Sequence, residues 1–265
     1  MSEHGLERVR LGPTLFAGAA ALAAGLPLAY LVVRSLALGW GPYGALVSDL
    51  AFLRGVAGST LLATVIAFGG VLVASMAGYV MAVHRGLGGG WVVPALAAGI
   101  VAVASLPPQL LLPGGWEVVT RLGMFDSYWA VVLPASLNLL GVLLYRAAFL
   151  AVPLGLIDAA RVDGCSEWGV YFRIAMPAVR PTTAACVMLS FAAAWNAVIW
   201  PTLVLHSPER QLLSQYVTLL AGTAATQAEQ TAVLAATVLA IAPILLLFLL
   251  LQRDFLPPLR GAVKE

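Results

Sequence analysis

The sequence predicts an all-α, polytopic membrane protein: six transmembrane helices, with a polar helical hairpin inserted between helices four and five. Three observations predict it. Of 265 residues, 61% are hydrophobic and only 10% charged, where a soluble domain carries about a quarter charged residues; the chain cannot wet its own surface, so its solvent is lipid. Six apolar runs come close to the ~20 residues that a helix needs to cross a bilayer. Lipid leaves no water for unpaired backbone, so each run must be a helix rather than an open strand.

In chain order, residues 1–13 form a cytoplasmic N-terminus and residues 14–265 the transmembrane domain. The first span, 14–33, follows "ERVR". It is longer than the apolar core of a signal peptide, and Arg34 follows with no small-residue cleavage site, so it reads as a retained helix. The second, 58–83, contains "GVLVASMAGY", whose small residues let helices approach closely in lipid. "GLGGG" at 86–90 is a flexible turn before the third span, 91–111. The fourth is 129–149, the fifth 182–205 and the sixth 231–251. Arg146, near one end of the fourth, is the one charged side chain inside any of them.

Loop arginines set the orientation. With the N-terminus in the cytoplasm, Arg8, Arg10, Arg85, Arg146, Arg161, Arg173, Arg180, Arg253, Arg260 and Lys264 lie inside, against Arg34, Arg54, Arg121 and Arg210 outside. Both termini are therefore expected in the cytoplasm, and the polar insert with them.

What the spans lack narrows the chemistry. Ion-coupled carriers place an ionisable group at membrane depth, and no Asp, Glu, Lys or His falls in these spans. His4, His84 and His206 are isolated and assigned to different sides, so no metal site is expected. Cys165 and Cys186 have no framework spacing and read as incidental. A phosphate loop needs its lysine, and Lys264 stands alone at the tail; the energy for any work must come from another chain, and no cofactor is expected on this one. The net charge of +2 gives no reason to expect nucleic acid.

The insert, residues 152–181, is the wettest stretch. Pro153 suits the first position of a helix, "LGLIDAARVD" continues in good helix formers, and Gly164 can end it in the left-handed region. Ser166 suits the N-cap of a second helix, with Glu167 favourable in its first turn. There Trp168, Tyr171, Phe172 and Ala175 recur at helical spacing as one aromatic face, and Pro177 and Pro181 are expected to stop the helix before the fifth span. Such a face, flanked by Arg161, Asp163, Glu167 and Arg173, suits insertion in a partner's groove and equally suits packing on the bundle or resting in lipid headgroups.

The insert resembles the cytoplasmic "EAA" loop of bacterial ABC importer permeases, whose pattern is Glu-Ala-Ala, three residues, Gly, nine residues, then Ile-x-Leu-Pro. Asp158, Ala159, Ala160, Gly164, Ile174, Met176 and Pro177 fall at those spacings, with Asp in place of Glu and Met in place of Leu. "RVDG", Trp168 and "FRIAMPAVRP" resemble the carbohydrate-importer branch, in particular its maltose-type second permease with six helices. "RLGMFDSYWAVVLP", "FAAAWNAVIWP" and the tail "RGAVKE" extend the likeness over most of the chain.

The resemblance implies that Asp158, Ala159, Ala160, Arg161, Asp163, Gly164, Trp168, Phe172, Ile174 and Pro177 form a coupling-helix hairpin seated in a nucleotide-binding subunit. Asp158 would contact that subunit, and Gly164 would turn the chain between the two short helices. It further implies a second homologous permease, two ATPase subunits using ATP and magnesium, and an extracytoplasmic binding protein, all at a bacterial plasma membrane. Gln109, Asn138, Trp195, Asn196 and Trp200 combine aromatic faces with amides, the chemistry that contacts sugars; they equally suit interfacial belts and helix-to-helix hydrogen bonds. Polyamines are disfavoured by "RVDG" and the tail. Glycerol phosphate or peptide import, or a scaffold without a transport role, are the other readings.

Overall fold

The computed structural model describes residues 18, 19, 23, 25–37, 39–83 and 90–255. Among them every regular element is helical. By the pattern of contacts the chain groups into two compact units, one of residues up to Leu53 with Val217–Ala242, the other of Arg54–Tyr216 with the residues from Pro243 onward.

In the first unit, α1 covers 25–35; the remainder of the expected span 14–33 falls partly outside the described residues, as do His4, His84, Arg85 and Lys264. A short helix, α2 (Gly41–Ser48), follows. The Tyr43 hydroxyl and Ser35 Oγ lie 2.5 Å apart, and Ser35 also donates to Val32 O at 2.7 Å. The same unit holds a capping box. Thr226 Oγ1 accepts from Glu229 N at 3.2 Å, while Glu229 Oε2 accepts from the Ala225 and Thr226 amides at 2.8 Å each. This reciprocal pairing satisfies the first free amides, which is why α13 (Gln227–Phe255) begins four residues ahead of the expected run at 231.

The second unit is built around α3 (Leu50–Val83), 34 residues long. Asp49 Oδ1 accepts from Ala51 N at 2.8 Å, so the helix starts eight residues before the expected 58. The third expected span is not one helix. α4 (Val92–Ala104) stops, a 3-10 turn covers Pro108–Leu111, and α5 (Leu112–Arg121) leaves at 100° to α4. Pro107 and Pro108 cause this: neither has an N–H to donate, and each pushes the residue before it out of the helical region.

The fourth span divides into α6 (Trp129–Ala135) and α7 (Leu139–Leu150). The hairpin follows as α8 (Leu154–Val162) and α9 (Glu167–Ala178). The fifth span divides into α10 (Arg180–Trp195) and α11 (Ile199–Val204), and α12 (Leu213–Thr223) precedes α13. Among the described residues, three helical stretches are long and apolar enough to cross a membrane, α3, α13 and the run Trp129–Leu150 formed by α6 and α7 together, or up to five if each sharply bent pair counts as one span.

Two side chains repair the interruptions. Asn138 Oδ1 accepts from Gly141 N at 2.7 Å, capping α7, while its Nδ2 donates to Ser190 Oγ of α10 at 2.8 Å. Ser214 Oγ donates to the freed Ala197 carbonyl at 2.6 Å. Nearby Ser59 Oγ accepts from Leu213 N at 2.8 Å and Gln215 Oε1 from Leu212 N at 2.9 Å, so the buried start of α12 leaves these amides paired. In "GVLVASMAGY", Gly78 is the point of closest approach: an added Cβ there would lie 2.6 Å from Tyr145 Cβ and 2.8 Å from Arg146 N. The backbones of α3 and α7 touch because Gly78 has no side chain.

Candidate functional site

The hairpin is closed by its own residues. Gly164 adopts φ +82°; its N–H donates to Arg161 O and Cys165 N donates to Ala160 O, both at 3.0 Å. These are the two bonds of a Schellman turn, satisfying the last carbonyls of α8. Ser166 Oγ then accepts from Gly169 N at 3.2 Å to start α9. Pro153 caps α8 from just outside rather than occupying its first turn.

Charge completes the closure. Arg161 makes a two-pronged pair with Glu167, Nε to Oε1 at 2.7 Å and Nη2 to Oε2 at 3.1 Å, and its Nη1 reaches Asp158 Oδ1 at 3.1 Å. The bonded Glu167 carboxylate raises the arginine above its ordinary range. One guanidinium thus ties Asp158, in the middle of α8, to the first turn of α9, across the Gly164 turn. Side-chain exposures of 32% for Arg161, 65% for Asp158 and 56% for Glu167 keep each pair in the range of about 0.2–1 kcal/mol. They fix geometry more than stability.

The aromatic stripe is shared between two faces. Tyr171 and Ala175 turn inward and are buried, whereas Trp168 and Phe172 are 60% and 54% exposed and stack on each other at 5.9 Å. The four positions cover an arc of roughly 100° at helical spacing, wide enough to straddle the rim of the bundle. Residues Tyr171–Ala175 form a π turn, and Pro177 lies within the helix instead of stopping it; the break comes at Val179, with α10 leaving at 81° and Pro181 in its first turn. Pro181 is tolerated there because first-turn amides have no partner anyway.

On α8, Ile157 and Ala160 face inward while Asp158 and Ala159 are exposed. Asp163 and Gly164 at the turn are exposed as well, and Ile174 is half-buried. An open concavity of about 640 Å³ at the tip is lined by Asp163, Gly164, Ser166, Trp168, Phe172 and Arg173, among others. The hairpin therefore offers a rigid end with two stacked rings, two carboxylates and an arginine.

The pathway candidates lie on several elements, from the bend between α4 and α5 to α11. Gln109 is exposed on the turn where α4 bends into α5. Asn138 spends its amide on the cap and on Ser190. Trp195 is buried and stacks on Phe191 at 5.7 Å. Asn196 is exposed, with Nδ2 donating to Ala192 O at 2.8 Å, and Trp200 donates from Nε1 to Ala130 O at 2.9 Å. Asn138, Asn196 and Trp200 all sit beside interruptions of the fourth and fifth spans.

A second polar cluster was not legible in the sequence. Asp126, at φ +53°, accepts through Oδ1 from the amides of His206 and Ser207 at 2.9 and 3.0 Å, and through Oδ2 from the Ser207 hydroxyl and from Arg210. The Ser207 hydroxyl, ahead of the Ser207 and His206 amides and of Arg210, holds the carboxyl down at about 2. His206 stacks on Phe125 at 5.0 Å. The eighty residues separating the partners explain why no local pattern signals them. Among the described residues no group of His, Cys, Asp or Glu could hold a metal ion.

Comparison with known proteins gives the context for this geometry. Residues 70–260 match the family described as the binding-protein-dependent transport system inner membrane component. The chain is 31% identical over 207 residues to the arabinooligosaccharides transport system permease protein AraQ of Halalkalibacterium halodurans, covering 78% of this chain and 72% of that protein. It is 33% identical over 165 residues to the lactose transport system permease protein LacG of Rhizobium radiobacter, covering 62% of this chain and 60% of LacG. A crystal structure of a bacterial ABC transporter that imports the acidic polysaccharide alginate superposes with TM-score 0.80 at 17% identity, over 97% of this chain and 99% of that one.

Proposed function

We propose, because the chain belongs to the family of binding-protein-dependent transport system inner membrane components, that it carries a sugar or sugar derivative inward across a bacterial plasma membrane. It is the membrane subunit of an ABC importer and not its ATPase. The sugar reading rests above all on the likeness to the arabinooligosaccharide permease, which extends over 78% of this chain.

In this reading six spans cross the bilayer with both termini in the cytoplasm, and the loop 152–181 lies beneath it. A second permease completes the pore, two ATPase subunits bind ATP with magnesium, and an extracytoplasmic protein delivers the sugar. Trp168, Phe172, Asp163 and Asp158 make up the face that an ATPase subunit covers. Arg161 and Glu167 keep that face rigid, and Gly164 allows the reversal on which it depends. ATP biases the bundle only through its different fit to the two states of the ATPase pair, and the hairpin passes that bias on. Asn138, Trp195, Asn196 and Trp200 are the residues of this chain proposed nearest the translocation path, with Gln109 at its far end.

The test is uptake by the complete importer of labelled arabino-oligosaccharides, measured beside glycerol phosphate and a short peptide. Saturable sugar uptake that depends on the binding protein supports the reading; uptake of either other solute alone overturns the sugar assignment. Gly164→Val forces a β-branched side chain to φ +82°, where an L-residue loses about 1–2 kcal/mol. Nothing lies within 4 Å of the position, so the damage is confined to the turn. ATP hydrolysis should persist while uptake falls; normal uptake would overturn the role given to the hairpin.

A further inference from the structure

Tyr171 is the one aromatic residue of α9 that turns into the bundle and also carries a polar tip. It is 3% exposed, and its hydroxyl lies 2.7 Å from Ser75 Oγ on α3. Ser75, 0% exposed, also donates to Leu72 O at 3.1 Å. A serine hydroxyl has one proton to give. With that proton on Leu72 O, it is Tyr171 that donates and Ser75 that accepts.

The same ring meets Tyr79, one turn further along α3, edge-on at 5.3 Å; Tyr79 meets Phe149 of α7 edge-on at 5.4 Å, and Phe149 stacks with Tyr145 at 5.9 Å. Gly78, beside Tyr79, brings the α3 backbone against Tyr145 and Arg146. Rings and backbones therefore run without a gap from α9 through α3 to α7. On the outer side of α9, Phe172 is the next residue after Tyr171 and contacts it at 4.7 Å, and Trp168 lies 6.4 Å away. The exposed pair and the buried hydroxyl lie on the same short helix, whose start is fixed by the Gly164 turn and the Ser166 cap.

We infer that Tyr171, through its hydrogen bond to Ser75, is a positioning residue that makes α3 follow the hairpin when it moves. This deepens the coupling role proposed above and rests on it. Ser75 is otherwise satisfied within its own helix, so the bond to Tyr171 serves the junction between the two elements rather than α3 itself. The packed rings keep α9 against the bundle; the hydroxyl pair fixes the register at which α3 follows it.

The experiment uses the complete importer in lipid nanodiscs with nitroxide labels at Thr60→Cys of α3 and Leu189→Cys of α10, both exposed. Cys165→Ser removes the accessible thiol, and Cys186, 1% exposed, stays. Electron–electron resonance reads the label distance before and after magnesium ATP with vanadate. In the otherwise unsubstituted importer the distance shifts. Tyr171→Phe and Ser75→Ala should each reduce the shift to less than half while hydrolysis stays within about twofold, and the double variant should lose no more than either single one. A purely structural role would lower yield and melting temperature and leave the shift of the surviving assemblies intact. A full shift in either variant, or losses that add in the double variant, overturns the inference alone. A label pair that ATP never moves, even without these substitutions, overturns the coupling role itself and this inference with it.

Discussion

Gly78→Ala tests how the bundle is packed. The added methyl would fall 2.6 Å from Tyr145 Cβ, 2.8 Å from Arg146 N and 2.9 Å from Val142 O. Two of these atoms are backbone, so no change of rotamer relieves the overlap, and α3 and α7 must move apart. Overpacking of this kind costs about 1–3 kcal/mol, against which replacing a mid-helix glycine by alanine returns about 0.5–1 kcal/mol. Gly99 in α4 is the control, since nothing lies within 4 Å of its added Cβ and Gly99→Ala keeps only the gain. The two variants should then differ by the overpacking cost alone. At about 2–4 °C per kcal/mol for a chain of this size, Gly78→Ala should melt roughly 2–12 °C below Gly99→Ala. Unfolding in detergent followed by tryptophan fluorescence measures the gap. Equal midpoints, or a higher one for Gly78→Ala, would refute the account of close approach.

Two further outcomes follow from the charged clusters. Asp158→Lys replaces an attraction to Arg161 with a repulsion at an exposed site, so the isolated chain should lose under about 1 kcal/mol while the ATPase subunit is no longer recovered with it on purification; undiminished recovery would mean that Asp158 serves Arg161 only. Asp126 has its carboxyl lowered to about 2, below the ordinary value near 3.9. Its contribution to stability is therefore full at neutral pH, down to about pH 4, and is lost as pH falls further toward 2. Proteolysis of the segment 204–210 in the folded protein should quicken over that window, and Asp126→Asn should abolish the pH dependence; an unchanged dependence in that variant would discard the clamp.

The sequence reveals where apolar runs lie because lipid demands them, yet it conceals where they are interrupted. Pro107 and Pro108 could have signalled the bend after α4, but the run stays apolar across them. The breaks at Asn138 and Asn196 are stabilised by Ser190 and Ser214, partners that no short window contains. In the hairpin, the Gly164 turn and the Ser166 cap were legible because both are local backbone chemistry. The Arg161–Glu167 pair was not: residues six apart face one another only after the turn has reversed the chain. The aromatic period located the stripe correctly, but which rings turn inward depends on the bundle beside it.

Because Arg161, Glu167, Gly164 and Ser166, together with Asp158, shape the hairpin from within, the outward Asp163, Trp168 and Phe172 are free to change without refolding it. Under the coupling role proposed above, specificity for a given motor would be exchanged like a fitting on a standard thread, by regrafting only Asp163, Trp168 and Phe172. Under the same proposal, a graft that also altered Tyr171 would fit its new motor and leave the pore idle.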